Sequence, residues 1–325
     1  MSYTEIDGPF FEDLQVGDRF DTSPAMTLTD GLVATHQSIV GNRLAVTVDH
    51  RLSNTVAGPG PALVSPALCW DISIGQSTLV THAVVANLYY RNLAFHRAPR
   101  LGDTLSSNTT IVGLRPNRPR EGRRPSGLAL LTVQTVDHER RTVLDYQRCA
   151  MIAARGSEPP VKDLTWSDTE RADAPTAHFD AWDLSAVRDR YGPTTLKAGD
   201  EFRVAGGDVV SSAPELVRLT QNVAKVHHDA TAGGSRLVYG GHSVGIALHH
   251  LARSLPSLVT VTSWDSCDHT GPVHEGDTLH SRVLVEDVRT GEGRTYAKVQ
   301  MIVRATRLDG TETDVLDWHL TALLP

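Results

Sequence analysis

The pattern of hydrophobic and polar positions changes in the same way twice along the chain. In each half one segment, 64–76 or 238–254, carries apolar or small residues on every side, which predicts a helix buried all round. Runs that alternate between apolar and polar residues follow each segment and predict antiparallel strands. These runs are 105–114, 128–137 and 142–152 in the first half and 279–288, 295–307 and 315–324 in the second. A buried helix followed by such strands indicates an α+β unit in which the sheet wraps the helix.

Short sequence signatures recur in the same order in the two halves, which indicates an internal duplication. The offset between copies runs from 172 residues, between 143 and 315, to 182 residues, between 16 and 198. The recurring segments are 16–20 with 198–202, 63–66 with 237–240, 102–105 with 276–279 and 143–146 with 315–318. We therefore expect two units, 1–153 and 181–325, joined by a linker over 154–180 that is rich in Pro, Asp, Glu and Ser.

Composition is typical of an ordinary soluble protein. With 325 residues, 40% of them hydrophobic, the chain can bury a sizeable core. A formal net charge of -7 argues against a general nucleic-acid binder. No apolar stretch approaches the length of a membrane span, and the acidic N-terminus lacks the basic region and the apolar run of a signal peptide. We therefore expect a cytoplasmic protein with no nucleic-acid or membrane partner.

The cysteine and histidine residues do not predict a metal site. The cysteines are odd in number and far apart in apolar contexts, which indicates buried thiols in a reducing compartment: Cys69, Cys149 and Cys267. Five histidines fall within a short span: His227, His228, His242, His249 and His250. Adjacent helical residues point in different directions, and no Cys or Glu stands at a ligand spacing beside these histidines. We therefore expect no bound metal.

The segment 219–243 contains the polar cluster best suited to chemistry. Asn222 and His227 are five residues apart, and Gly240 stands where the second apolar helix is predicted to begin. A neutral imidazole can take and return a proton near neutral pH. A glycine at a helix start leaves its backbone N–H open to an oxyanion. The alternative is a helix, a polar turn and a second helix whose histidines only satisfy local hydrogen bonds.

The buried helices, the strands and the Gly-Asp-Thr-Leu turns at 102–105 and 276–279 resemble the hotdog fold of the MaoC-like dehydratases, and the tandem copy resembles a double hotdog. Residues 222–227 stand where (R)-specific enoyl-CoA hydratases carry an Asp-x-Asn-Pro-x-His segment. Residues 236–242 stand at the start of the hotdog helix. The resemblance covers nearly the whole chain. Its motifs look most like those of mesaconyl-CoA hydratases and actinobacterial double-hotdog hydratases.

The resemblance implies a hydratase or dehydratase that acts on a 2-enoyl-CoA or 3-hydroxyacyl-CoA thioester, with short branched and dicarboxylic acyl groups as candidates. It implies that His227 is the general base and acid, that Asn222 positions the water and that the Gly240 amide polarises the thioester carbonyl. Further candidates for substrate contact are Asp229, Arg236, Tyr239, Gly241 and His242. No cofactor is expected beyond the coenzyme A of the substrate. A homodimer of double hotdogs is a candidate assembly.

The chain departs from the family pattern within both halves. Asn222 replaces the catalytic Asp, and an amide can hold a water but cannot take its proton, so His227 would be the sole base. In the first half Thr47 aligns with His227, and threonine cannot act as a base near neutral pH. Pro66 aligns with Gly240 and has no backbone N–H to offer an oxyanion. One working site per chain is the simplest interpretation.

Several interpretations stay open. The arginine-rich segment 115–124 is either an exposed hairpin connection or a grip on the phosphates of coenzyme A, with Arg115, Arg118 and Arg123 as the candidates. Asp229 could orient a histidine or form an Asx-turn. A thioesterase is the rival enzyme, because related hotdog enzymes use a carboxylate on the central helix and Asp71 lies on the first helix. A non-catalytic acyl-CoA binding protein is the rival from another class.

Overall fold

The computed structural model describes residues 7–118, 121–122, 124–156, 174–231 and 236–325. The first half contains β1 (Arg19–Phe20), β2 (Met26–Thr27), α1 (Asp30–Val40), α2 (Ala45–Val48), α3 (His50–Ala57), α4 (Pro66–Gln76), β3 (Val84–Phe95), β4 (Thr104–Pro116), β5 (Ser126–Val136) and β6 (Thr142–Ala153). The rest of the chain contains α5 (Ala177–Asp180), α6 (Ser185–Tyr191), β7 (Glu201–Arg203), β8 (Asp208–Val209), α7 (Ala213–Leu219), α8 (Lys225–His228), α9 (Gly240–Ser254), β9 (Thr260–His269), β10 (Thr278–Gly291), β11 (Arg294–Thr306) and β12 (Glu312–Leu324).

All of these strands belong to one antiparallel sheet that runs through both halves. Its order is β1-β4-β5-β6-β3-β9-β12-β11-β10-β7, with β2 paired to β4 and β8 paired to β10. Counted from its own edge of the sheet, each half has its equivalent strands in the same order, β1-β4-β5-β6-β3 and β7-β10-β11-β12-β9, as the internal repeat requires. The two halves join where β3 pairs with β9, for example at Tyr89 with Asp268 and at Leu93 with Trp264. The predicted α+β double hotdog is confirmed, and its two sheets are continuous.

The two predicted buried helices are confirmed as α4 and α9. All residues of α4 are buried, and the helix begins where Ser65 Oγ accepts the backbone N–H of Ala67 and Pro66 fills the first helical position. Along α9 the face that includes Val244, Leu248 and Leu251 is buried in the same core. The absence of a wide polar face on either helix follows from the sheet that covers both of them.

An aromatic cluster fills the core between the halves. Trp70 on α4 meets Trp264 on β9 edge to face, with ring centroids 4.9 Å apart. Trp318 on β12 lies 5.3 Å from Trp264 and 5.9 Å from Trp70. Edge-to-face pairs at these distances are favourable beyond the area that they bury. Tyr90 and Phe95 of β3 extend the cluster, at 5.8 Å from Trp264 and 6.4 Å from Trp70, so both halves contribute rings to one shared core.

The recurring Gly-Asp-Thr-Leu segments form equivalent turns, as their sequence predicts. Gly102 and Gly276 adopt positive φ angles of 86° and 92°, which glycine accommodates without strain. The carboxylate of Asp103 accepts the N–H of Arg100 at 2.8 Å, and that of Asp277 accepts the N–H of His274 at 2.9 Å. These aspartates stabilise the turns that lead into β4 and β10.

The segment that leads into the second half contacts both units. Phe179 is buried against Trp182, and its carbonyl accepts a hydrogen bond from Arg294 of β11 at 2.8 Å. Asp183 donates its N–H to the carbonyl of Val56 in α3 at 3.0 Å. Residues 157–173 of the predicted linker lie outside the described part of the chain. The division into 1–153, 154–180 and 181–325 stays a prediction.

Two further observations concern the cysteines and the lengths of the helices. The three cysteines are buried and free, as predicted. Within the described ranges, no helix has both the length and the apolar composition needed to cross a membrane.

Candidate active site

A cavity of about 340 Å³ lies where the two halves meet. Its apolar wall includes Ile74, Val84, Val226, Leu237 and Val273. Its polar side chains are Thr78, Thr81, Asn87, Tyr90 and Arg148 from the first half and Asn222, His227, Tyr239, Ser243, His269 and Thr270 from the second. A concave, mainly apolar space with a few convergent polar groups is the usual form of a small-molecule site. The structure thus brings together the three predicted catalytic positions, Asn222, His227 and Gly240.

His227 is held on α8 as a neutral base. Its Nδ1 donates to the carbonyl oxygen of Leu237 at 2.9 Å, and because a carbonyl only accepts, Nδ1 carries the ring proton. The lone pair therefore lies on Nε2, at the opposite edge of the ring. Burial lowers the pKa of His227 to about 4, aided by the nearby His228 and by the charge of Arg148. The imidazole is neutral at physiological pH and able to accept a proton.

Asn222 is 2% exposed and uses its two amide atoms differently. Its Oδ1 accepts the backbone N–H of Ala224 at 3.0 Å, which fixes the side chain. Its Nδ2 has no hydrogen-bond partner among the described residues. This amide can therefore donate from Nδ2 to a water, but an amide is not a base and cannot take a proton from it.

The first half repeats this arrangement without a base. The N–H of Leu44 donates to Oδ1 of Asn42 at 3.0 Å, and Nδ2 of Asn42 donates to Oγ1 of Thr47 at 2.9 Å. Thr47 stands five residues after Asn42, as His227 stands five residues after Asn222. The hydrogen bond that Oδ1 accepts from the backbone N–H two residues later is thus the same in both halves, whereas the bond from Nδ2 to the residue five positions later is formed only by Asn42.

Gly240 supplies the start of α9. It is the first residue of the helix, Tyr239 precedes it as N-cap, and no side chain caps the free N–H groups there. The first N–H groups of a helix have no acceptor within the helix and lie at its positive end. A Cβ at Gly240 would lie 2.5 Å from Nε2 of His269, so only glycine allows this close approach. At the equivalent position α4 begins with Pro66, which has no N–H.

His269 lines the cavity and was not predicted. It ends β9, its ring packs edge to face on Tyr90 at 5.8 Å, and its Nε2 has no partner among the described residues. Burial lowers the pKa of His269 to about 4. The internal repeat could have indicated it, because the offset of 174 residues that relates Gly240 to Pro66 relates His269 to Phe95. A ring that is apolar in the degenerate half is ionisable in the other.

Arg148 is the second cavity residue that sequence reasoning missed. It lies on β6 and is 3% exposed. Its Nε donates to Oδ1 of Asn87 at 3.0 Å, its Nη1 to Oγ of Ser77 at 2.6 Å and its Nη2 to Oγ1 of Thr81 at 3.4 Å. Tyr146, two residues earlier, faces the same side, where its hydroxyl accepts from Oγ of Ser73 in α4 at 3.1 Å. An arginine between inward-facing core residues is the signal that was available.

Of the five predicted substrate contacts, only Tyr239 lines the cavity. Gly241 lies behind it, where a Cβ would be 2.1 Å from Oδ1 of Asp71, and His242 is fully buried inside α9. Arg236 forms an ion pair with Glu275 away from the cavity. Asp229 is exposed, and its carboxylate accepts the N–H of Thr231 at 2.8 Å, which is the Asx-turn that was the alternative.

Two of the proposed phosphate-binding arginines, Arg115 and Arg118, also lie outside the cavity lining. Arg115 and Arg118 are exposed near the end of β4, and Arg123 lies outside the described residues. Their predicted contact with coenzyme A stays a prediction.

Asp71 is not available as a thioesterase carboxylate. It is 0% exposed, its Oδ2 lies 2.9 Å from Nε2 of His36, and its Oδ1 accepts the hydroxyl of Tyr239 at 3.1 Å. Burial raises the pKa of this carboxyl. The group does not line the cavity, so its observed contact is to hold Tyr239, the residue before Gly240.

Across the described ranges, no three or more His, Cys, Asp or Glu side chains are grouped so that they could hold a metal ion. His250 is occupied by Oγ of Ser281 at 2.7 Å and by Asp208 at 2.6 Å, and Nε2 of His228 donates to the carbonyl of Asn222 at 2.6 Å.

Two curated proteins are similar to the chain over most of their length. A beta-methylmalyl-CoA dehydratase from Chloroflexus aurantiacus is 27% identical over 296 residues, which cover 86% of this chain and 83% of that protein. A mesaconyl-CoA hydratase from Cereibacter sphaeroides is 24% identical over 286 residues, covering 84% and 82% respectively. No protein-family model matches the chain.

Solved structures agree with the fold. A conserved hypothetical protein from Mycobacterium tuberculosis with a double hotdog fold is 44% identical, covers 97% of this chain and 98% of its own, and superposes with a TM-score of 0.89. A putative MaoC domain dehydratase from Chloroflexus aurantiacus, 24% identical, covers 100% of this chain and 99% of its own with a TM-score of 0.86. These likenesses show that the chain belongs to the double-hotdog family, in which it is similar over most of its length to a MaoC-like dehydratase and to two proteins named as CoA dehydratase or hydratase.

Proposed function

We propose that the protein adds water to a 2-enoyl-CoA thioester, or removes it from the corresponding 3-hydroxyacyl-CoA, in the cavity between its two halves. The observation that carries this proposal is the neutral imidazole of His227, fixed through Nδ1, in one apolar cavity with the Asn222 amide and the first N–H of α9. The activities for which both curated relatives are named support a CoA thioester as the substrate class.

In the hydration direction, Nε2 of His227 takes a proton from water while the water oxygen bonds to C3 of the substrate. Nδ2 of Asn222 donates a hydrogen bond to that water and holds it in place. The pair of electrons of the double bond moves through C2 onto the thioester oxygen, and the proton then passes from Nε2 to C2. One water is consumed and His227 returns to its starting state.

The N-terminus of α9 stabilises the charge that develops in this step. The N–H of Gly240 points from the positive end of the helix and can donate to the thioester oxygen as it becomes an enolate. In the free protein, burial makes the imidazolium form of His227 costly and so lowers its pKa. The negative charge of the enolate offsets that cost during the reaction. A base of low pKa also returns its proton readily to C2.

Every proton in this scheme moves between water, His227 and the substrate. We therefore propose that no cofactor is required beyond the coenzyme A of the substrate. We also propose one site per chain, because Thr47 supplies no base and Pro66 no N–H donor in the first half. A homodimer and a cytoplasmic location stay proposals, the latter supported by the three buried free thiols.

The test is product analysis with a panel of short, branched, dicarboxylic and long 2-enoyl-CoAs. We expect a product heavier by one water, formed reversibly, without release of thiol. Release of free coenzyme A would indicate a thioesterase, and tight binding without turnover would indicate a binding protein.

The matched variants are His227→Ala and Thr47→Ala, which alter equivalent positions of the two halves. We expect the first to lower kcat/KM by about 10²- to 10⁴-fold, the usual contribution of a positioned base, and the second to change it little. Equal losses from both would contradict a single site.

A further inference from the structure

The buried guanidinium of Arg148 lacks the partner that its charge requires. A buried charge is costly unless it is paired and hydrogen-bonded. Asn87, Ser77 and Thr81 accept from three of its five N–H groups, and all three are neutral. The structure shows no ion pair between Arg148 and any described Asp or Glu.

The cavity as a whole is cationic. Among the described residues, its lining contains no Asp or Glu, and its two histidines, His227 and His269, are neutral because burial lowers the pKa of each to about 4. Of the lining residues in the described part of the chain, Arg148 therefore contributes the one formal charge. Nδ2 of Asn87, on the same amide whose Oδ1 accepts from Arg148, is buried without a partner among the described residues. Two kinds of donor thus stand together with no anion beside them.

This charge accompanies the half-site that has the base. The recurring Val-Leu-Asp-aromatic signature at 143–146 and 315–318 places Leu320 in the position of Arg148, two residues after the aromatic residue in each strand. Leu320 is fully buried in the apolar core. The functional half-site thus pairs a base with an arginine, whereas the degenerate copy pairs Thr47 with a leucine. The repeat shows that the fold does not need an arginine at this position of the strand.

We propose that Arg148 binds a second carboxylate, carried on the acyl group, so that the substrate is a short dicarboxylic acyl-CoA. This rests on the proposed function and deepens it. The anion must belong to the acyl group because Arg148 shares one cavity of about 340 Å³ with His227 and Gly240, where the reacting carbons lie. The phosphates of coenzyme A are separated from the thioester by the whole pantetheine arm. A planar guanidinium matches a carboxylate with two parallel hydrogen bonds.

The other role open to Arg148 is to polarise the thioester oxygen, which every acyl-CoA carries. A matched pair of saturated thioesters separates the two roles. Succinyl-CoA and butyryl-CoA differ only in a terminal carboxylate or methyl group, and neither can be hydrated. Their dissociation constants, measured by isothermal titration calorimetry, report binding without turnover.

We expect the wild-type protein to bind succinyl-CoA at least about tenfold more tightly than butyryl-CoA, and Arg148→Gln to abolish that preference. Arg148→Lys, which keeps the charge without the planar fork, should retain part of it. Arg91→Gln is the matched control. Arg91 lies on β3 in the same sheet but pairs with Asp268 at 2.8 Å outside the cavity lining, so the preference should persist.

Equal binding of the two thioesters by the wild-type protein would overturn the proposal, and so would an equal loss for both in Arg148→Gln. The wild-type comparison stands even if the variant does not fold. Hydration of fumaryl-CoA and crotonyl-CoA is measured in parallel. Selective binding of succinyl-CoA with hydration of neither would refute the reaction and leave the carboxylate site. Hydration of crotonyl-CoA without preference for fumaryl-CoA would refute the carboxylate site and leave the reaction.

Discussion

The pH dependence of the reaction tests the state of His227 directly. Burial lowers the pKa of this imidazole to about 4. As a base it must be unprotonated, so activity is retained above the pKa and lost as the pH falls through it. At about pH 5 a group of pKa 4 is about 90% unprotonated, whereas an ordinary histidine of pKa about 6.5 is only about 3% unprotonated. The two cases differ by about 30-fold in kcat/KM at that pH.

The assay follows the loss of the conjugated enoyl absorbance between about pH 5 and pH 8. A pantetheine thioester without phosphates is used beside the full acyl-CoA, because a phosphate group titrates near pH 6 and would mimic a histidine. Circular dichroism at each pH verifies that the protein stays folded. We expect a flat kcat/KM with a decline only at the acid limit. A tenfold fall per pH unit that begins near 6.5 would refute the buried neutral base, and with it the role of Leu237 in fixing the tautomer.

Three further predictions follow from particular contacts. Asn222→Asp should keep kcat/KM for a neutral enoyl-CoA within about tenfold, or about 1.4 kcal/mol of barrier. For a dicarboxylic enoyl-CoA it should raise KM, because the new carboxylate repels the second carboxylate of the substrate. If neither Asn222→Asp nor Asn222→Ala changes kcat/KM, the residue is outside the site. Gly75→Ala places a Cβ 1.7 Å from the carbonyl oxygen of Thr220 and 3.3 Å from the backbone N of Asn222. Urea unfolding should therefore show a free energy of unfolding lower by about 1–3 kcal/mol or more. The control is Gly31→Ala, whose Cβ would have its nearest neighbour 3.8 Å away, and it should show no loss. Burial lowers the pKa of His242 to about 4, below its unfolded value of about 6.5, so the free energy of unfolding should fall as the pH drops from about 6.5 towards 4. In His242→Asn about 2 kcal/mol of the loss at pH 5 should vanish. An unchanged pH dependence in this variant would contradict the buried neutral state.

The sequence was informative where burial imposes one period. Helices α4 and α9 and the six strands predicted from alternation, β4 to β6 and β10 to β12, agree with their hydrophobic patterns to within a few residues at each end. The central strands β3 and β9 were missed because irregularities interrupt their alternation. The register of β3 shifts at Val84/Ala86, Asn87/Tyr89 and Arg91/Ala94, so no single period runs through it.

Only those site residues that lie within one short stretch of sequence could be predicted. Asn222, His227 and Gly240 were indicated because their spacing matches a motif, and the fold does bring them into one cavity. His269 and Arg148 come from strands distant in sequence, and their inward orientation depends on registers that the sequence does not state. Conversely, Asp229 is two residues from His227, but its turn carries it to the surface. Proximity in sequence was no measure of proximity in the cavity.

The continuity of the sheet through β3 and β9 has a consequence for how such a site can arise. Each cavity takes its base from one repeat and its opposite wall from the other, so two identical units associated edge to edge would always build two identical sites. Any arginine gained by the wall would then appear beside both bases. Within one chain that constraint is absent, because the repeats can differ: the first has Thr47 and Pro66 where the second has His227 and Gly240, and it has Arg148 where the second has Leu320. The covalent link between the repeats is thus what allows one to specialise in chemistry and the other in recognition.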